Sequence, residues 1–98
     1  MPSRTNSNVF FYVYVLQSLK DKKQYIGYTN NLKRRLEEHN SGKNISTKHR
    51  APLRLIYYEA CLSQEDAKRR EEYFKVTGGR RFLAKRLKSY YKNNLNLY

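Results

Sequence analysis

The stretch Phe11–Thr29, FYVYVLQSLKDKKQYIGYT, decides the fold of this chain. Residues rich in tyrosine, valine, isoleucine and leucine stand on both sides of a polar segment, SLKDKKQ, which is typical of two β-strands joined by a turn. We therefore predict a hairpin with strands at about residues 9–16 and about residues 24–28.

Three tyrosines of this hairpin fall on one side of the predicted sheet. Alternate residues share a face of a strand, so Tyr12 and Tyr14 point the same way, and Tyr25 on the paired strand can join them. Aromatic packing between neighbouring strands explains such a cluster, and composition alone favours that interpretation. A group of hydroxyls that carries chemistry is the alternative.

The segment after the hairpin predicts a helix and then a third strand. The asparagines at 30–31 can cap a helix over about residues 31–40, and the Ser–Gly pair at 41–42 supplies its end. A polar, basic loop follows. The β-branched and aromatic residues at about 53–62 then predict a strand.

The last part of the chain predicts two more helices. Ser63 followed by Asp66 resembles a capping box, and the helix that it opens runs to about Val76, before the glycines at 78–79. A third helix follows, and its apolar stripe is formed by Leu83, Leu87 and Tyr90.

These elements predict one α+β domain, a small three-stranded, mainly antiparallel sheet flanked by helices. A chain of 98 residues has the length of a single domain. We expect a flexible N-terminal tail at 1–8, the domain at 9–90 and a C-terminal tail at 91–98.

Composition points to a polyanionic partner in the cytoplasm. The 21 lysines and arginines exceed the 8 acids and give a formal charge of +13, which suits nucleic acid. The single cysteine, Cys61, excludes an internal disulfide and a zinc site of several cysteines, and we expect it to be buried. The longest apolar run, Val9–Leu16, is too short to span a membrane, so we expect no membrane partner and a cytoplasmic location.

Two residues of the first predicted helix could serve one site. Arg35 and His39 are four positions apart, so they share a helix face beside the apolar stripe of Leu32 and Leu36. A solvated basic face is the alternative interpretation, and it is the commoner one for arginines on a helix.

Glu71 is the most informative acidic residue. Ala67, Glu71 and Phe74 follow helical spacing and share the face that is directed at the core. A carboxylate on that face is costly unless it meets a cation, a metal or a water-filled cleft. A structural salt bridge between Glu71 and Arg35 is the alternative to a metal ligand.

These residues together resemble the GIY-YIG nuclease family. The sequence YVY at 12–14 and the sequence YIG at 25–27 are similar to the paired motifs that give the family its name. Arg35 in NLKRRLEEH and Glu71 in RREEYF match the family's arginine and glutamate in order and context, and the likeness extends over about residues 11–87. The chain is most similar to the small single-domain branch, related to the excinuclease C nuclease domain and the Slx-type structure-specific endonucleases.

The resemblance implies hydrolysis of phosphodiester bonds with one divalent metal, magnesium or manganese. Tyr14, with Tyr25 nearby, would orient and deprotonate an attacking water, although a phenol with a pKa of about 10 needs help to act near neutral pH. Tyr12, where the family name has glycine, would then serve mainly for packing.

The other site residues carry over in the same way. Arg35 would bind the scissile phosphate through its planar guanidinium, and His39 would assist catalysis. Glu71 would hold the metal, because magnesium keeps much of its hydration shell and needs few protein ligands.

The expected partner is DNA, with RNA as an alternative, and the expected setting is DNA repair or recombination. Contacts to phosphates give affinity without sequence preference, so selectivity would lie in DNA structure or in a protein partner that supplies specificity. The predicted nucleic-acid contacts are the basic residues of the first helix, the following loop and the third helix: Lys33, Arg34, Lys43, Lys48, Arg50, Arg80, Arg81, Lys85 and Arg86.

Two alternatives to an active nuclease stay open on sequence grounds. A module of the same fold could bind nucleic acid without cleaving it, with its tyrosines stacking on single strands. A basic structural protein in an RNA assembly is the other, and the charge alone would fit it.

Overall fold

The predicted hairpin is present and forms the centre of the domain. In the computed structural model, which describes residues 9–94, strand β1 (Phe11–Ser18) pairs antiparallel with strand β2 (Gln24–Thr29). Strand β1 begins and ends about two residues later than predicted, and β2 ends about one residue later. The predicted tail at 1–8 and residues 95–98 of the predicted tail at 91–98 lie outside the described residues, whereas residues 91–93 of that tail belong to a helix.

The sheet has three strands, as predicted, and all of them are antiparallel. Strand β3 (Leu53–Cys61) pairs with the other side of β1, which gives the order β2-β1-β3. An irregularity in the pairing between Val15 and Leu16 shifts the register of β3. The fold class is therefore α+β, with β1 central and β2 and β3 at the two edges.

The two faces of the sheet have different covers. On one face, Tyr14 and Leu16 pack with Leu53 and with two leucines of helix α1 (Leu32–Asn40). The opposite face buries the larger core, which includes Val13, Val15, Ala67, Phe74, Leu83 and Leu87. Successive side chains of β1 thus point alternately into a smaller cluster that contains Tyr14 and into the main core.

The helices begin where the capping residues predicted. The Asn31 side chain accepts a hydrogen bond from the Arg34 amide at 3.0 Å, and Ser41 is the C-cap of α1, beside Gly42 with a φ of +82°. Ser63 caps helix α2 (Gln64–Phe74) through the Asp66 amide. None of the helices within residues 9–94 is long and apolar enough to cross a bilayer.

The prediction of a single last helix is wrong, because the chain forms two. Helix α3 (Thr77–Arg86) and helix α4 (Lys88–Asn93) meet at Leu87, whose φ of −106° and ψ of 23° leave the helical range. Leu87 is buried, and the Tyr90 hydroxyl donates a hydrogen bond to buried Gln17 at 2.5 Å. These contacts turn α4 back onto the sheet.

The glycines at 78–79 begin α3, whereas the sequence suggested that they follow the end of α2. Helix α2 already ends at Phe74. A Cβ on Gly79 would overlap the carbonyl group of Tyr73, so only glycine fits where the two helices meet. This close junction places Arg80 at the edge of the cleft described below.

Arg70 fixes the orientation of α2. Its guanidinium donates hydrogen bonds to both Glu59 carboxylate oxygens at 2.8 and 3.1 Å, and it lies 4.8 Å from the ring centre of Phe74 and 4.7 Å from that of Phe82. Helix α2 is thereby tied to β3 and to α3. The neighbouring Glu71 is directed to the other side of the helix, towards β2.

The expectation that Cys61 is buried is wrong. The residue is only partly buried, and its thiol donates a hydrogen bond to the Ser63 carbonyl at 3.4 Å. Cys61 is the last residue of β3, and β3 is an edge strand, so one side of the residue has no neighbouring strand among residues 9–94.

Candidate active site

A cleft of about 500 Å³ opens where the β2 edge of the sheet meets α1, α2 and the loop after α1. Strand, helix and loop residues from distant parts of the sequence form its wall. All five residues predicted to act in catalysis or metal binding line this one cleft: Tyr14, Tyr25, Arg35, His39 and Glu71.

The Tyr14 hydroxyl is the central group of the cleft. It lies 3.0 Å from His39 Nε2 and accepts a hydrogen bond from Arg35 Nε at 3.3 Å. Tyr14 and His39 are 3% and 4% exposed, so the hydroxyl meets the cleft from the edge of the core. A solvated basic face is therefore the wrong interpretation of the His39 side of α1.

Gly27 leaves the space that the Tyr14 hydroxyl occupies. The register pairs Tyr14 directly with Gly27 across the hairpin. A Cβ at this position would overlap the hydroxyl and lie 2.7 Å from Tyr14 Cζ. Gly27, the glycine of the YIG sequence, thus leaves room for the Tyr14 side chain to extend across β2.

Thr47 holds the second nitrogen of His39. Its hydroxyl lies 2.7 Å from His39 Nδ1, and Thr47 is 1% exposed. The loop that carries Thr47 is closed by Asn40, whose side chain bonds both the amide and the carbonyl of Leu53, at 2.7 and 3.0 Å. A folded loop of α1–β3 thus delivers a buried hydroxyl to the imidazole.

One arrangement of protons uses the Tyr14 proton within the site. Arg35 can only donate, so the Tyr14 oxygen accepts from it, and the single Tyr14 proton is free to point at His39 Nε2. An unprotonated Nε2 requires the imidazole proton on Nδ1, where Thr47 accepts it. The chain of bonds therefore runs from Arg35 through Tyr14 and His39 to Thr47.

Burial keeps both partners of the central bond neutral. Desolvation raises the pKa of Tyr14 above its ordinary value, against the opposing hydrogen bond and charge of Arg35. Desolvation also lowers the pKa of His39, and the Arg35 charge adds to that effect. His39 contributes stability that is present above pH about 6.5 and is lost as the pH falls through its lower folded-state pKa.

Glu71 reaches the same cleft from α2. Its Oε2 lies 3.2 Å from Lys75 Nζ, one helical turn further on, and its side chain is 19% exposed. Arg35 pairs instead with Glu38, with Nη1 3.0 Å from Oε1. The alternative of a structural salt bridge between Glu71 and Arg35 is therefore wrong.

The other two tyrosines of the hairpin have different surroundings. Tyr25 packs beside the Tyr14 cluster, and its hydroxyl accepts a hydrogen bond from Arg50 Nε at 3.0 Å and lies 3.4 Å from an Asp21 carboxylate oxygen. Tyr12 packs edge-on against Tyr58, with ring centres 5.8 Å apart. Tyr12 thus makes the aromatic contact expected of it, while Tyr25 ties the hairpin to the loop after α1.

The predicted nucleic-acid contacts are all exposed and occupy three regions, α1, the loop after it and α3. Arg80 is the one among them that lines the cleft. Arg86 lies instead on the main-core side, 6.0 Å from the ring centre of Tyr57. The other members of the set do not line the cleft: Lys33, Arg34, Lys43, Lys48, Arg50, Arg81 and Lys85.

Three residues of the site were missed at the sequence level. Glu38 and Lys75 could have been found, because they stand three and four positions from Arg35 and Glu71 on the same helices. Thr47 carries no such signal. It belongs to a loop, and only the folded path of that loop brings it to His39.

The fold and this arrangement agree with the comparisons to known proteins. The family model described as the GIY-YIG catalytic domain matches residues 10–88. The chain therefore belongs to the GIY-YIG family, a family of nucleases.

Relatives and a solved structure show which members of the family the chain is similar to. UPF0213 proteins of Streptococcus pyogenes, from serotypes M3 and M5, are each 48% identical to this chain over 65 residues, which are 65% of this chain and 70% of each relative. The solution NMR structure of a UPF0213 protein from Bacillus halodurans is 37% identical, with a TM-score of 0.50 over 81% of this chain and 85% of that one. The chain is similar to these small single-domain members.

The contact between Thr47 and His39 makes a testable prediction about stability. Thr47→Val keeps the shape of the side chain but leaves the buried His39 Nδ1 without its hydrogen-bond partner, so it should lower the free energy of unfolding by about 1–3 kcal/mol. Thr47→Ser keeps the hydroxyl and loses one methyl group, which should cost about 1 kcal/mol or less. Denaturant unfolding at neutral pH measures both, and a valine variant at least as stable as the serine variant would contradict the bond.

Proposed function

We propose that this protein is a metal-dependent endonuclease that hydrolyses phosphodiester bonds of DNA. One observation supports this most strongly: the Tyr14 hydroxyl is held between Arg35 and His39 at the wall of an open cleft. A tyrosine that served only for packing would need neither partner. The cleft also contains one carboxylate, that of Glu71, which helix α2 brings there from a distant part of the sequence.

In this proposal Tyr14 passes a proton from water to His39. The raised pKa of Tyr14 makes a free phenolate unfavourable at neutral pH. As the attacking water gives a proton to the Tyr14 oxygen, the Tyr14 proton moves to His39 Nε2, which the lowered pKa of His39 keeps unprotonated beforehand. The water oxygen then forms its bond to phosphorus, and the bond to the leaving oxygen breaks.

Arg35 has two tasks in the same step. Its Nε–H occupies one lone pair of the Tyr14 oxygen, and its remaining N–H groups can bind the scissile phosphate and offset the charge that builds on it. The ion pair with Glu38 holds the guanidinium in this orientation, and the side chain keeps 35% of its surface exposed to the cleft and solvent.

Glu71 is the residue that would hold the metal. Within residues 9–94 no three His, Cys, Asp or Glu side chains form a ready cluster, which fits magnesium or manganese better than zinc. A single carboxylate, waters and phosphate oxygens suffice for magnesium, and the exposed Lys75 ammonium can leave Glu71 when a cation enters. The metal would supply Lewis-acid stabilisation of the leaving oxygen.

The surface around the cleft suits a nucleic-acid substrate. The formal charge of +13 and the exposed basic residues of α1, α3 and the loop between α1 and β3 favour phosphate contacts, which do not depend on sequence. We infer selection by DNA structure, as expected of an enzyme of repair or recombination, with RNA cleavage and a specificity-giving protein partner as further possibilities for assay. Tyr25 would contribute by fixing the hairpin and loop around Tyr14.

The hydroxyl of Tyr14 is the first target for mutation. Tyr14→Phe keeps the ring and its packing but removes the proton relay, so single-turnover cleavage of branched or plasmid DNA with magnesium should fall by roughly a hundredfold or more. Tyr12→Phe is the matched control. Tyr12 lies on the same face of the same strand, and its ring packs edge-on against that of Tyr58. Equal rates for the two variants would contradict the role of Tyr14.

The metal-binding role of Glu71 is tested by comparing a Glu71 variant with a variant of its neighbour, Glu72. Glu71→Gln should abolish magnesium-dependent cleavage while it leaves DNA binding intact, and the metal-free protein should keep its stability to within about 0.5 kcal/mol, because the lost ion pair with Lys75 is a partly exposed one within a single helix. Glu72→Gln changes the charge equally on an exposed side of α2 and should cleave like the wild type. Cleavage by the Glu71 variant with an unchanged magnesium dependence would exclude the metal role.

A further inference from the structure

A second groove, of about 430 Å³, continues from the active-site cleft along the free edge of β2. Gln24, Ile26 and Arg80 line both spaces, so the two spaces adjoin one another. Phe74 and Leu83 form the apolar floor of the groove. We call this space the β2 groove.

The charges that line the β2 groove are all positive. Lys22 and Lys23 of the hairpin turn stand on one side and Arg80 of α3 on the other, and no acidic residue of the part of the chain described here lines it. The acid of the same turn, Asp21, is engaged elsewhere, because its carboxylate lies 3.1 Å from Arg50 Nε. A polyanion that left the cleft past Arg80 would therefore meet two more cations.

The turn that carries these lysines is held rigidly from below. The buried Ser18 hydroxyl accepts hydrogen bonds from the amides of Lys20 and Asp21, at 3.0 and 3.1 Å. Buried Gln17 donates to the Lys22 carbonyl at 3.2 Å. Two fully buried polar side chains thus fix the backbone of an exposed turn, which places its charges before any ligand arrives.

Lys22 occupies an unusual conformation within this turn. Its φ of +66° lies in the left-handed region, which glycine and asparagine adopt much more readily. Its ammonium group donates to the Leu19 carbonyl at 2.6 Å, so the side chain folds back over the turn and keeps the charge there. A lysine in a position that favours glycine is a local cost that a charge requirement would explain.

We propose that the β2 groove binds the sugar–phosphate backbone of the cleaved DNA strand beyond the scissile phosphate. This rests on the proposed function. Lys22 and Lys23 would contact phosphates on one side of the cleavage point, with Arg80 between them and the cleft. The strand would therefore cross the edge of β2, and the enzyme would need that strand to extend on one side of the cut and not equally on the other.

The test compares two double variants that remove the same charge. Lys22→Gln/Lys23→Gln empties the β2 groove of its turn lysines, whereas Lys68→Gln/Lys88→Gln removes two exposed lysines that line neither the groove nor the cleft. Binding to a fluorescein-labelled DNA duplex is followed by anisotropy over a range of salt concentrations without divalent metal. Two lost phosphate contacts should flatten the slope of log K against log salt by about 1.8 in the groove variant, and the control should keep the wild-type slope.

The same variants are then assayed for cleavage on duplexes in which the cleaved strand is cut short on one side of the cleavage point or on the other. The groove variant should cleave one truncated substrate less efficiently than the wild type does and match the wild type on the other. Equal slopes for the two double variants, or a defect that ignores the truncated side, would overturn the groove. Failure of the wild-type protein to bind or cleave DNA would overturn the proposed function itself and the groove with it.

Discussion

The site depends on one buried contact, the hydrogen bond between the Tyr14 hydroxyl and His39 Nε2 at 3.0 Å. Gly27 leaves room for the hydroxyl, and Thr47 holds the far nitrogen of the imidazole. Arg35 donates to the same oxygen from the helix that carries His39. These groups come from β2, from α1 and from the loop after α1. Together they give a tyrosine of the central strand a fixed polar environment.

In the proposed mechanism, this contact would allow a tyrosine to act at neutral pH. Burial raises the pKa of Tyr14 and lowers that of His39, so the pair rests in its neutral form. In that form Tyr14 donates and His39 accepts, and a proton taken from water can move along the pair without a free phenolate. The Arg35 charge favours release of that proton from His39, because it disfavours the imidazolium.

Much of the fold could be predicted from the sequence, because the signals were local. Alternation along β1 and the caps at Asn31 and Ser63 act within a few residues, and the structure confirms them. The break between α3 and α4 was missed because it comes from packing of Leu87 and from the bond of Tyr90 to Gln17, far away in sequence. Helical periodicity cannot show such a contact.

The site, like the fold, has features that the sequence could predict and others that it could not. Five of its lining residues, Tyr14, Tyr25, Arg35, His39 and Glu71, could be singled out from their types, their spacing and the family resemblance. The pairing of Glu71 with Lys75 in place of Arg35 could not, since it depends on which side of α2 faces the cleft. Thr47 could not be predicted at all, because only the closure of its loop by Asn40 brings its hydroxyl to His39.

The most direct test of the Tyr14–His39 unit is a double-mutant cycle on the rate of DNA cleavage. Single-turnover rates are measured with magnesium for Tyr14→Phe, for His39→Gln and for the protein that carries both changes, after thermal melts show that each is folded. Two groups that pass one proton act as a unit, so the double variant should be no slower than the slower single variant to within about threefold. Losses that multiply in the double variant would mean that Tyr14 and His39 act independently, and they would contradict the relay.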